Sequence, residues 1–145
     1  AYLDICLERT YEGEPAIKLE AMAREGKIID DLDMNIRKSG NIWIVDTKKF
    51  FQELLDVDAD VASIAKTTQY LVGFSLGRIA SKYLPMATRQ EIYVSGGAAV
   101  NDYIIRGIID GSGADVKLNR RVPAGDGGIA LGQAYIAGLL MENEE

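Results

Sequence analysis

The sequence predicts an α/β fold, more closely an α+β mixture in which a mainly helical first part leads into a glycine-rich βαβα unit. Three observations predict it. Apolar residues are 48% and charged residues 26% of the 145, the balance of one globular core. Ten of the 15 glycines lie at or after Gly96, so the sharp turns are concentrated in the last third. Two short β-type runs in that third are separated by a helix-length segment, which makes them parallel strands with a right-handed crossover.

Taken in order, Pro15 opens a helix through Ala16, Ile17, Leu19, Ala21, Met22 and Ala23, and Gly26 ends it. Met34 and Ile36, then Ile42 and Ile44, alternate with polar positions around Lys38-Ser39-Gly40-Asn41, a hairpin over about 34–46. Asp46 or Thr47 caps a short helix. Asp58 or Asp60 caps a longer one, in which Val61, Ile64, Ala65, Thr68, Leu71, Val72, Ser75, Ile79 and Tyr83 keep helical spacing until Pro85. Gly73 and Gly77, one turn apart inside it, predict a close crossing with a neighbouring element. Residues 91–145 then read as strand Glu91–Ser95, the turn Gly96-Gly97, a helix through Tyr103 and Ile108 to Gly111-Ser112-Gly113, strand Val116–Leu118, the loop Val122–Gly128 and a final helix from Ile129. The whole chain, 1–145, is expected to form a single domain or lobe.

Composition excludes several functions. There is no His, so no His-dependent triad and no His-ligated metal can come from this chain alone. The single Cys6 excludes an internal disulfide and a zinc ribbon and suggests a reducing compartment, hence a cytoplasmic location. A net charge of −6 without a dense basic block offers no footprint for a nucleic acid. No apolar run reaches the roughly 20 residues of a membrane span. The acids and Arg near the start argue against a signal peptide, and Ala1 in place of Met suggests a fragment of a longer chain.

The two glycine loops carry the functional expectation. In a βαβα unit both emerge at the carboxyl ends of the strands, where open α/β sheets bind ligands. Each should lead into a helix N-terminus, whose amides and dipole suit an anion such as a phosphate. Plainer roles stand beside this one. Gly96-Gly97 also serves as a tight strand-to-helix turn, and Asp126 or Asn101 as an N-cap. Yet Gly125, Gly127 and Gly128 bracket Asp126 with more glycine than a cap requires, and a carboxylate beside such amides suits a divalent metal bridging to phosphates. There is no Walker-type phosphate loop.

The segments VSGGAAVN, VPAGDGGIALGQA and TYEGEPAIKLEAMA together resemble the C-terminal catalytic domain of the HypF-type carbamoyltransferases of nickel–iron hydrogenase maturation. The resemblance runs from Tyr11 to Ala137. It implies the second lobe of an actin/sugar-kinase/Hsp70-like (ribonuclease H-like) fold with a helical insertion, shared with the tRNA threonylcarbamoyl-transfer ATPases. It implies nucleotide contacts at Gly96, Gly97 and Asn101, joined by Gly127 and Gly128, and a metal ligand at Asp126. Glu14, in Gly13-Glu14-Pro15, would line the cleft or act as a charge in a helix's first turn.

The implied chemistry passes a carbamoyl group from carbamoyl phosphate, through carbamoyl adenylate made with ATP, to an acceptor. For a true HypF that acceptor is the C-terminal Cys of HypE. A divalent metal (Mg, Fe or Zn) would be shared with a missing first lobe, and an adenylate-forming domain would complete the enzyme. Ala99-Val100 in place of the usual aromatic–Gln pair, and Gly125 in place of Asn, bring the chain closer to O-carbamoyltransferases of antibiotic and nodulation-factor synthesis. A non-catalytic nucleotide- or partner-binding module is the alternative from another class. On either reading the chain alone is expected not to catalyse.

Overall fold

The computed structural model describes residues 9–142; Cys6 and the last three residues of the acidic tail lie outside that range. The elements follow in the expected order: α1 (Glu14–Met22), β1 (Asn35–Ser39), β2 (Ile42–Asp46), α2 (Thr47–Asp56), α3 (Val61–Ser81), a 3₁₀ turn (Leu84–Met86), β3 (Glu91–Val94), a 3₁₀ turn (Gly97–Val100), α4 (Asp102–Ser112), β4 (Asp115–Leu118) and α5 (Gly127–Glu142). Strands β1 and β2 pair antiparallel, and β3 and β4 pair parallel.

The hairpin turns on two residues, because Ser39 pairs directly with Ile42. Gly40 takes the first loop position at φ 60°, which a residue with a Cβ rarely adopts. This short loop sets which side chains share a face. Ile36 stands opposite Val45 and Arg37 opposite Ile44, so Met34 and Ile36 share their face with Val45 and not with Ile42 and Ile44. Ile42 is accordingly 68% exposed. Met34, Phe50, Leu54 and Leu71 form the buried core, with Val45, Ile64, Tyr70 and Phe74 packed against it. The only Trp, Trp43, ties the hairpin to the end of α3: its Nε1 donates to the Tyr83 hydroxyl at 2.7 Å, and Lys38 and Lys82 flank its ring.

Asp46 caps α2 by accepting from the Lys49 amide, and Asp60 caps α3 by accepting from Ser63. The Ser63 bonds also hold the Asp60 carboxyl below its ordinary range. Helix α3 is the axis of the chain and is buried on more than one side. Its buried residues include Ser63, Thr67, Gln69, Gly73, Ser75 and Gly77 beside Ala65 and Leu71, whereas Val61, Val72 and Tyr83 are exposed. Apolar periodicity misplaces this face because the neighbours on it are backbones. The Lys27 and Ile29 amides donate to the Ser63 and Thr67 hydroxyls at 2.9 Å, and Gln69 Nε2 donates to the Leu19 carbonyl. Gly26 does not cap α1, which ends four residues earlier. Its place is set by close approach, since a Cβ there would lie 2.2 Å from the Ala62 backbone.

The crossing expected at Gly73 and Gly77 is made with α4, and it is reciprocal. A Cβ on Gly73 would meet the Ile104 carbonyl oxygen at 2.0 Å, and one on Gly77 the Ile108 oxygen at 2.5 Å. From α4, Gly107 and Gly111 would meet the Tyr70 and Phe74 oxygens at 2.1 and 2.3 Å. In helix α5 every residue from Ile129 to Met141 is exposed.

Gly73→Ala should therefore cost about 3 kcal/mol, the upper range for overpacking, because the obstacle is backbone and cannot rotate away. Urea unfolding of the variant, expected to show an unchanged m-value and a lower midpoint, checks it.

Candidate functional site

Strands β3 and β4 run parallel in register from Glu91↔Asp115 to Val94↔Leu118, so both chains leave the sheet at one edge. After β3 come Ser95, Gly96 and Gly97; after β4 comes the loop Asn119–Asp126. The two loops are joined. The Gly96 amide donates to the Ala124 carbonyl at 2.6 Å, and the Ser95 hydroxyl donates to the same oxygen at 3.1 Å. Asn119 Nδ2 donates to Ser95 Oγ at 3.4 Å and to the Pro123 carbonyl at 3.5 Å.

The glycines of this edge separate by cause. Gly96 has φ 103° and ψ 170°, a backbone region essentially closed to residues with a Cβ. At Gly128 a Cβ would lie 2.5 Å from the Pro123 carbonyl oxygen, so the loop itself demands glycine there, while at Gly127 a Cβ would make only ordinary contact with Pro123. Gly97 and Gly125 have neither cause: their φ values are not positive and a Cβ on either would face open space. Nothing among the described residues requires glycine at those two positions.

The turn after β3 is not a direct entry into an α-helix, and this corrects the expected geometry. Gly97–Val100 form a 3₁₀ turn, and α4 begins only at Asp102. Two of its first-turn amides are already used by side chains. Ile104 N–H donates to Asn101 Oδ1 at 2.9 Å, and Asp102 N–H donates to Glu20 Oε1 at 3.1 Å. Asn101 is buried, and its Nδ2 donates to Gln69 Oε1 at 2.6 Å. Both ends of its amide are thus engaged inside the protein, as cap and as anchor to α3. Asp126 behaves differently from the capping residues. It is exposed, and its carboxylate makes no hydrogen bond or ion pair among the described residues.

Glu14 lies apart from the loops in its bonding. It pairs with Lys18 at 2.8 Å and accepts from the amide and hydroxyl of Thr10. The Lys18 ammonium first, then the Thr10 amide and hydroxyl, hold its carboxyl at about 2, below its ordinary 4.5. Among the described residues no group of three His, Cys, Asp or Glu could hold a metal ion. Asp126 is one exposed carboxylate without such a companion among the described residues. Composition-based reading passed over Arg120 and Arg121, which stand exposed on the loop leaving β4 and have no ion-pair partner among the described residues. The signal was local: two adjacent cations between a strand end and a glycine loop.

A family profile described as the carbamoyltransferase Kae1-like domain, second subdomain, matches residues 1–133. The chain belongs to this family. A Methanocaldococcus jannaschii protein described as a probable carbamoyltransferase HypF is 33% identical over 143 residues, covering 94% of this chain and 18% of that protein. The carbamoyltransferase HypF of Rhodobacter capsulatus is 28% identical, over 99% of this chain and 19% of its own length. Among solved structures, T. kodakarensis HypF superposes with a TM-score of 0.74 at 30% identity, over 94% of this chain and 18% of that one. A full-length HypF in a phosphate- and nucleotide-bound form gives 0.69 at 26% identity, over 95% and 19%. The chain thus spans just under a fifth of these relatives, and its mixed α/β fold is that of their Kae1-like domain.

The Glu14 carboxyl yields a pH prediction. A carboxyl lowered by folding stabilises the fold above its unfolded value and loses that contribution as pH falls through the folded one. The stability gap between the wild type and Glu14→Gln should therefore be constant at neutral pH, narrow below 4.5 and close near about 2. Urea midpoints measured across that range check it; a gap independent of pH would remove the charged-acceptor role.

Proposed function

We propose that this chain is the nucleotide-binding half of the transferase domain of a HypF-type enzyme. That enzyme would move a carbamoyl group from carbamoyl phosphate, by way of carbamoyl adenylate, to an acceptor such as the C-terminal Cys of a HypE-like protein in hydrogenase maturation. The observation that carries the reading is the pair of joined glycine loops at the carboxyl ends of two parallel strands, with Gly97 and Gly125 open where nothing among the described residues needs glycine. Bare backbone at those positions admits a phosphate or ribose to van der Waals range. A phosphate- and nucleotide-bound form of a relative with this domain supports the same ligand class.

Each residue has a part in this proposal. Gly96 shapes the turn and keeps it against the second loop. Gly97 and Gly125 give the ligand access to the backbone, and Gly127 and Gly128 begin the helix behind it. Asn101 positions the turn from below through Gln69 and Ile104 and does not itself face the ligand. Arg120 and Arg121 supply positive charge at the edge where phosphate would lie. Asp126 offers one carboxylate to a divalent cation whose remaining ligands come from the first lobe. Such a cation would supply positive charge against a bound phosphate. Glu14 has the supporting task of fixing the start of α1.

Two substitutions test the reading in the full-length polypeptide. Gly97→Val has room in this fold, so circular dichroism should be unchanged while nucleotide affinity falls at least tenfold, about 1.4 kcal/mol. Unchanged affinity by calorimetry would take the turn out of the site. Asp126→Asn should alter stability by less than about 1 kcal/mol, because the carboxylate holds nothing in place. Carbamoyl-phosphate-dependent ATP turnover should nevertheless drop by at least a hundredfold if it is a metal ligand. Full turnover in this variant would end its metal role.

A further inference from the structure

Two peptide bonds in this chain join an aspartate to a glycine, Asp110-Gly111 and Asp126-Gly127, and the fold treats them in opposite ways. At such a pair the glycine amide can attack the neighbouring side-chain carbon, because no Cβ beside it hinders the approach. At Asp110 every part needed for that attack is held. The carboxylate accepts from Arg106 Nε at 2.9 Å and from the Tyr70 hydroxyl at 3.3 Å. Gly111 lies inside α4, so its amide belongs to the helical ladder. A Cβ on it would stand 2.3 Å from the Phe74 carbonyl oxygen, and this stretch of backbone has no room to swing.

At Asp126 each of these restraints is missing. Its carboxylate is exposed and makes no bond among the described residues, whereas Asp46 and Asp60 are held as caps. The amides of Gly128 and Ile129 go instead to the Gly125 and Asp126 carbonyls. Gly127 is the first residue of α5, ahead of the ladder, and its N–H has no acceptor among the described residues. We infer that Asp126-Gly127 is a site of spontaneous isomerisation, at which the Gly127 nitrogen attacks Asp126 Cγ and the linkage becomes isoaspartate. The N–Cγ bond forms, the carboxyl hydroxyl leaves with the amide proton as water, and a succinimide ring closes. Water then adds to the α-carbonyl, the old peptide C–N bond breaks, and the chain runs through Cγ beside a free α-carboxylate. The product carries an extra backbone carbon in a loop where a Cβ on Gly128 would already lie 2.5 Å from the Pro123 oxygen. That new carboxylate is of the class esterified by isoaspartyl-specific methyltransferases that use S-adenosylmethionine. The inference rests on the contrast between the two aspartates and not on nucleotide binding.

The test is to age the full-length polypeptide in nucleotide-free buffer at near-neutral pH and physiological temperature, then digest it. Chromatography with electron-transfer fragmentation separates isoaspartyl from aspartyl peptides, and methyl transfer from S-adenosylmethionine by an isoaspartyl methyltransferase counts the product. Isoaspartate should form at least about tenfold faster at residue 126 than at residue 110, where α4 must first open locally. Gly127→Ala should slow it severalfold with the fold intact, since a Cβ there makes only ordinary contact with Pro123. Asp126→Asn supplies an independent readout, because ammonia leaves more easily than water. That variant should deamidate at residue 126 faster than the wild type isomerises, seen as conversion of its asparagine to aspartate and isoaspartate. Comparable rates at residues 110 and 126 overturn the inference, since the fold would then not distinguish the two. So does an unaltered Asp126 under conditions in which a synthetic peptide of residues 122–131 isomerises, which would show that the loop holds the reacting atoms apart.

Discussion

Four glycines let α3 and α4 approach more closely than any side chain would permit, and the placement of the site follows from that contact. Gly73 and Gly77 on one helix and Gly107 and Gly111 on the other accept each other's backbones, so the two axes are locked in both depth and register. With α4 fixed, its first turn is held at Asn101 through Gln69, and its far end delivers the chain at Gly113 into β4. The parallel register of β3 and β4, and hence the meeting of the loops beyond them, is set from this crossing rather than from the short sheet itself.

Around that contact, polar groups do work usually given to apolar ones. Gln69 spans three segments: its Nε2 reaches Leu19 and Ala65 carbonyls while its Oε1 takes the Asn101 amide. Ser63 and Thr67 fasten the strand-like stretch after α1 to α3 by its amides. A buried polar side chain is tolerable only when its bonds are satisfied, and these bonds go to backbone that would otherwise be orphaned. The helical part is thereby pinned at defined points, which a purely greasy interface of small area would not provide.

Much of this was legible in the amino-acid order. The paired glycines one turn apart announced the crossing, the pairs Asp46 or Thr47 and Asp58 or Asp60 announced the two helices that Asp46 and Asp60 cap, and the alternation around Gly40 announced the hairpin. What escaped had a common physical origin: partners that are not adjacent in sequence. The face of the hairpin depended on whether its loop held two residues or four. The buried side of α3 is lined by Ser63, Thr67 and Gln69 because backbone packs there, which an apolar count does not detect. The family resemblance pointed to two glycine loops, but it could not separate Gly96 and Gly128, held by conformation and crowding, from Gly97 and Gly125, which are open. Nor could it place Asn101 in the interior, since a cap, an anchor and a ligand contact look alike in sequence.

The bond from the Gly96 amide to the Ala124 carbonyl has a mechanical consequence. Backed by Ser95 and Asn119, it makes two loops of separate origin into one rigid jaw. Opening either loop alone would break that linkage, so the low-energy motion available is rotation of the jaw as a unit with α3, α4 and the sheet behind it. Any hinge then has to lie outside these loops, and a cleft that opens and shuts on this surface does so with its gripping edge unchanged in shape.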